Sequence, residues 1–256
     1  MTTPIPSWAA VAVSALLVLV AMGIAWREHL GVSRDIAIAA VRAFVQLLAV
    51  GAVLAWLFAH AGVLGALAWI AAMAVIAASE SRRRGGGIPH AYLAALLGIS
   101  LGTMATLGVL VLGGVIDTRP QVLVPIGGMV VSGSMQAASL TLTSLRRSVL
   151  ERRAQVEAAL SLGIPAAQAF AGELRSAVRT ALVPTIDSTR VVGLISLPGT
   201  MTGLIIAGVD PLEAIRYQII VMYMLLAAWA ISALVTARAG RRWLFDDAQR
   251  LVAVPA

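Results

Sequence analysis

Apolar residues run along this chain in long blocks, separated by short clusters rich in Arg, Gly, Pro or Asp. The blocks approach the roughly 20 residues that a helix needs to cross a hydrocarbon core. They predict spans at about Trp8–Ala25, Asp35–Ala59, Val63–Ser79, Ala91–Val115 and Val122–Leu145. After a long polar interval, further spans are expected at about Val191–Val209, interrupted at Pro198-Gly199, and at Tyr217–Thr236. Only His60, Ala61 and Gly62 separate the second and third blocks, which implies a tight helical turn. The expected fold is an all-α membrane bundle of about seven helices, read as a single transmembrane domain over 1–256.

Composition agrees. The 256 residues are 60% hydrophobic and 12% charged, against roughly 25% charged in soluble domains. Every one of the 19 basic residues is Arg. Without Lys, the chain has no phosphate-binding loop of the Gly-Lys-Ser/Thr type and cannot hydrolyse ATP by that route. Without Cys, it has neither disulfides nor thiolate metal ligands.

Charge distribution orients the blocks. Arg27 and Arg34 follow the first span and no basic residue precedes it, the reverse of a signal peptide, so a retained helix is expected. Placing the N-terminus outside and the C-terminus inside puts fifteen arginines on the cytoplasmic side. Arg119 and Arg216 then lie outside, and Arg42 and Arg190 within spans. This bias accounts for the +7 net charge without nucleic acid.

Small and polar residues form stripes inside the blocks. Ala94, Gly98, Gly102 and Thr106 share one face of the fourth span, and Gly199 and Gly203 share one in the sixth, as close helix contacts require. Gly128, Ser132, Gln136, Ser139 and Thr143 line one face of the fifth. Lipid cannot satisfy such a stripe, so it faces protein or a water-filled path. Asp35, Arg42 and Gln46 share a face of the second span, and Asp187 and Arg190 are placed to pair. His29, His60 and His90 sit near different span ends and do not make one metal site. Among the methionines, Met135 and Met201 are the thioether candidates for a soft metal, although such residues commonly fill cores. No hydrolase or metalloprotease motif is present, and the chain is not expected to be an enzyme.

The polar interval, about 146–190, is the largest cytoplasmic loop. Glu157 to Leu162 reads as a short helix closed by Gly163, with Pro165 opening the next. Beyond it, Phe170, Leu174, Val178 and Leu182 fall on one face, with Glu173, Arg175 and Arg179 around the rest. That pattern predicts an amphipathic helix along the inner surface.

Glu157-Ala158-Ala159-x-x-x-Gly163 resembles the EAA motif of ABC transporter permeases, whose short helix docks on a separate ATPase. The importers' continuation (Ile-x-Leu-Pro soon after the Gly) is missing. A longer run, Ser196-Leu197-Pro198-Gly199-Thr200-Met201-Thr202-Gly203 followed by Ala207 to Ala214 and Arg216 to Ile219, resembles the FetB-type iron-export permeases. Plant aluminium-tolerance permeases belong to the same wider group, and the likeness extends over nearly the whole chain. The resemblance implies a permease homodimer in the plasma (bacterial inner) membrane with two copies of an ABC ATPase subunit. ATP and Mg would be bound by that partner, and this chain would bind no cofactor. The implied activity is metal efflux, with Glu157, Ala158, Ala159 and Gly163 as the coupling segment.

Independently of the resemblance, Pro198-Gly199 breaks a membrane segment, and broken helices often line substrate sites. Ser196, Thr200 and Thr202 place hydroxyls beside the break. The candidate path therefore comprises Ser132, Gln136, Ser139, Ser196, Pro198, Gly199, Thr200, Met201 and Thr202. A stand-alone ion-coupled carrier using Asp35, Arg42 and Asp187, an ABC permease for a non-metal substrate, and a non-transporting scaffold remain as alternatives.

Overall fold

In a computed structural model, which describes residues 7–195, 197–246 and 248–252, the chain forms helices joined by short turns. It divides into two compact units: Met1–Gly62 with Ile206–Gly208, and Val63–Ile205 with Val209–Ala256.

The first unit is a helical pair, α1 (Trp8–Arg27) and α2 (Ser33–His60). Ser7 opens α1 by accepting the Ala10 amide at 3.3 Å. The Ser33 hydroxyl donates to the Met22 carbonyl at 3.4 Å. Ala25 and Leu57 are the buried side chains of the two helices. Nearly everything else on them is apolar and exposed, as hydrocarbon contact allows.

The second unit begins with α3 (Gly62–Arg84), α4 (Ala91–Leu112) and α5 (Pro120–Ser161) and ends with α9 (Pro211–Leu244). Prolines at the starts of α5 and α9 occupy positions whose amides have no helical partner. The Asp210 carboxylate accepts the Leu212 amide at 2.8 Å and caps α9. Arginines close α3 and α9, where the negative helix end favours them.

The core of this unit is a seam of small residues. Gly98 and Gly102 of α4 press on Ala228, Ser232 and Thr236 of α9, and the Ser232 hydroxyl donates to the Ser134 carbonyl of α5 at 3.0 Å. Close backbone approach is what holds helices together where no hydrophobic drive exists between them.

Among the described residues, six helices are long and apolar enough to cross a membrane: α1, α2, α3, α4, α5 and α9. Two features differ from the sequence reading. First, α5 does not end near Leu145. Its 42 residues extend about 60 Å at 1.5 Å per residue, twice the thickness of a hydrocarbon core. The helical axis breaks at Arg152 (φ −118°, ψ 17°), and the arginine-rich "loop" is this helix continued.

Second, the sixth span, expected at about Val191–Val209 with an interruption at Pro198-Gly199, is broken just before Gly199, and the helix ahead of the break lies in the interval expected as a cytoplasmic loop. After α6 (Ala166–Ala169), α7 (Ala171–Val191) packs upright against α5 and α9 rather than lying flat. Arg152 pairs with Glu173 at 3.0 Å. Eight residues on, Ala181 is buried against Ala137 and Ala233. Val192 is extended, and a helix resumes only at α8 (Gly199–Ile206), where the Thr200 hydroxyl meets the Met129 sulfur at 3.7 Å. As the chain advances from 173 to 200, its contacts retreat along α5 from 152 to 129. The polypeptide thus runs antiparallel to α5 as a discontinuous crossing. The predicted apolar face of α7 was right; its partner is protein rather than a membrane surface.

Candidate translocation groove and coupling elbow

The polar stripe of α5 serves two surroundings. Ser132 and Gln136 are exposed and line an open groove of about 490 Å³ with Pro125, Met129, Leu225 and Trp229. Gly133 makes the wall possible: a Cβ there would meet the indole Nε1 of Trp229 and stand 2.7 Å from both Cδ1 and Cε2, so the N–H edge of the ring points at the bare backbone. Among the described residues this buried indole N–H has no hydrogen-bond acceptor.

Ser139 does not reach this groove. It is 2% exposed and donates to the Ser81 hydroxyl of α3 at 3.1 Å. The Ser81 oxygen in turn lies 3.0 Å from the Ala77 carbonyl and 3.3 Å from the Met135 carbonyl. Thr143 folds back on the Ser139 carbonyl at 2.9 Å. Met135 is half-buried and outside the groove lining.

Around the break, Pro198 precedes α8, Gly199 begins it, and Thr200, through Met129, brings its first turn beside the groove. The Thr202 hydroxyl is turned inward, 3.2 Å from the Pro198 carbonyl, which the Thr202 amide also reaches at 3.0 Å. Met201 is half-buried. Ser196 lies outside the described residues. The groove's polar side-chain groups are neutral: the Ser132 hydroxyl, the Gln136 amide, the Met129 thioether and the Trp229 indole N–H. Among the described residues no group of three His, Asp or Glu side chains is placed to hold a metal ion. A site of weak neutral donors favours passage over retention. Sequence reasoning missed Leu225 and Trp229, because they lie on another helix and no spacing connects them to α5. A Gly amid the α5 stripe, at 133, was the available signal of a large neighbour.

At the arginine-rich end, the part of α5 beyond Arg152 carries Glu157, Ala158 and Ala159, all on or near the surface. Glu157 accepts from Arg153 at 2.7 Å across one helical turn. Gly163 (φ +82°) ends the helix. Its amide donates to the Leu160 carbonyl at 2.9 Å, and the Ile164 amide to the Ala159 carbonyl at 3.2 Å, the paired bonds of a Schellman closure. Leu162, at the tip, is 82% exposed. Asp187 and Arg190 do pair, at 3.5 Å.

The profile of "Uncharacterised protein family (UPF0014)" matches residues 8–245. The chain is 36% identical over 241 residues to "Probable iron export permease protein FetB" of Escherichia coli K12, covering 94% of this chain and 93% of that one. It is 36% identical over 220 residues to "UPF0014 membrane protein STAR2" of Oryza sativa subsp. japonica, covering 86% and 77%. "Protein ALUMINUM SENSITIVE 3" of Arabidopsis thaliana is 34% identical over 223 residues, covering 87% and 82%. No solved structure matches. With its apolar helices and a match that runs from α1 to the end of α9, this chain is a multi-pass membrane protein of the UPF0014 family.

Proposed function

We propose that the chain is the membrane permease of an ABC transporter that moves metal ions, iron in the first instance, out of the cytoplasm. The observation that carries the reading is the elbow. A leucine at 82% exposure stands at the arginine-rich end, on a helix closed by a left-handed glycine. The positive-inside rule makes that end cytoplasmic, where lipid does not cover such a residue. A separate ATPase that seats the Glu157–Gly163 segment would cover it. Arg153 holds Glu157 against its own helix, Ala158 and Ala159 allow close approach, and Gly163 sets the turn.

Two copies of the permease would face each other with two ATPase subunits below. Closure of the ATPases on ATP moves the elbow. Through α5, across its kink at Arg152, the motion reaches Ser132 and Gln136, and the groove changes the side to which it opens. Iron as cargo rests on the 36% identity to the Escherichia coli protein named an iron export permease. The neutral donor set supports transit of a weakly held ion. A carrier reading would need ionisable residues deep in several spans. Asp35 and Arg42 instead stand exposed on α2 without an ion pair between them.

The test is co-purification of the ATPase with Gly163→Glu. We expect ATPase binding to be lost while the permease still inserts and runs as the wild type does on size exclusion. Undiminished ATPase binding by that variant overturns the coupling assignment. ATP-driven accumulation of iron in inside-out vesicles tests the cargo.

A further inference from the structure

Beyond Leu244 the chain does not trail away. Phe245 and Leu251 form an antiparallel bridge, and the Val252 amide returns to the Leu244 carbonyl at 2.9 Å. Inside this small hairpin the Asp246 carboxylate accepts the Arg250 amide at 2.7 Å. Gln249 adopts a left-handed conformation (φ +56°), uncommon for a residue with a side chain. Leu244 and Leu251 are buried.

The hairpin grips the elbow at three places. The Gln249 side-chain carbonyl accepts the Ala166 amide at 3.0 Å. That amide opens α6, where Pro165 supplies no capping side chain, so the tail caps the helix from 83 residues away. The Leu251 carbonyl accepts from Arg153 at 3.4 Å, the same guanidinium that holds Glu157. Phe245 meets the fully buried Phe170 edge-on, with ring centroids 5.8 Å apart. Between hairpin and elbow lies an open cleft of about 610 Å³, bordered by Glu157, Gly163 and Ile164 on one side and Gln249 and Leu251 on the other.

From these contacts we infer that the hairpin closed by the bridge between Phe245 and Leu251 is a clasp that ties the coupling elbow to the end of α9, with Gln249 and Arg153 as its positioning residues. The inference rests on the elbow's role proposed above. It adds a second mechanical route. Motion of the elbow reaches the groove through α5 and also, through the clasp, through α9, which carries Leu225 and Trp229. Moving the two helices together keeps the two walls of the groove in register.

The test uses Gln249→Ala, Gln249→Glu and a chain ending at Leu244. Hydrogen exchange at the Ala166 amide, measured on the permease alone, reads the clasp without any ATPase. We expect Gln249→Ala and the truncation to exchange about fivefold faster or more, and Gln249→Glu, which keeps an acceptor, to stay near wild type. In vesicles carrying the ATPase, Gln249→Ala is expected to retain ATPase binding and lower iron transported per ATP several-fold, with rescue by Gln249→Glu. Unchanged exchange at Ala166 overturns the clasp. Faster exchange with unchanged transport per ATP overturns its role in transmission. Failure of the coupling reading shows separately, as ATPase binding that survives Gly163→Glu.

Discussion

Two glycine pairs of identical spacing behave in opposite ways. Gly98 and Gly102 of α4 sit where α9 passes: a Cβ at Gly98 would meet the Thr236 hydroxyl and stand 2.7 Å from the Ser232 carbonyl oxygen, and one at Gly102 would stand 2.9 Å from the Ala228 carbonyl. Among the described residues, a Cβ added at Gly199 or Gly203 of α8 would have no foreign atom within 4 Å. In sequence both are small-xxx-small patterns, and both predict contact. Only the first is a contact. The α4–α9 seam is a joint that fixes two helices; the α8 pair leaves space beside a broken crossing, next to the groove. The lesson is that spacing tells which residues share a face, and only the neighbouring helix decides whether the face is covered.

The sharpest way to break this comparison is to fill both places. Gly98→Leu forces a side chain into backbone that cannot retreat, at a cost of about 1–3 kcal/mol or more. Gly203→Leu enters open space and is expected to stay within about 0.5 kcal/mol of wild type. Thermal unfolding in detergent measures both. Equal losses would mean that α8 is as tightly covered as the seam.

The same reasoning explains what could be read in advance. Helix positions were legible because each block must bury or solvate its backbone alone, so hydropathy reports them directly. The elbow was legible too: Gly163 after an Ala-rich helix, and Pro165 beyond, are local signals that the Schellman closure obeys. The continuation of α5 past Leu145 was not. Arginines there signal a membrane boundary, but helical structure resumes beyond the kink at Arg152 and runs to Ser161, just before Gly163. Nor was the upright course of α7 legible. An amphipathic face at Phe170, Leu174, Val178 and Leu182 fits a membrane surface and a protein neighbour equally well, and Ala137 and Ala233 are far away in the chain. Groove residues Leu225 and Trp229 were hidden for the same reason.

A smaller effect separates two glycines that both lack near neighbours. Gly163 and Gly203 each have open space around an added Cβ, but Gly163 lies at φ +82°. Alanine at 163 therefore carries only the backbone cost of a left-handed L-residue, about 1–2 kcal/mol, with no steric term. Alanine at 203 carries neither. Protease sensitivity around Arg152 and Arg153 is expected to rise in Gly163→Ala and to stay at the wild-type level in Gly203→Ala. Should Gly163→Ala behave like Gly203→Ala, the closure of the elbow does not depend on its glycine.

The smallest effect divides the α5 stripe itself. Ser132 and Ser139 lie seven residues apart on nearly the same face, yet one borders the groove and the other bonds Ser81 of α3. Interhelical hydrogen bonds in membranes average about 0.6 kcal/mol, since the separated helices also find partners. Ser139→Ala is therefore expected to lower stability by about that amount and leave transport per ATP unchanged. Among the described residues Ser132 has no side-chain hydrogen-bond partner, so Ser132→Ala is expected to leave the fold intact and act on transport alone. Measuring both variants by unfolding in mixed micelles and by iron flux gives crossed outcomes if the stripe is divided as the structure has it. A flux defect in Ser139→Ala without a stability loss would instead place the whole stripe on the path, and α3 would then have to move aside during the cycle.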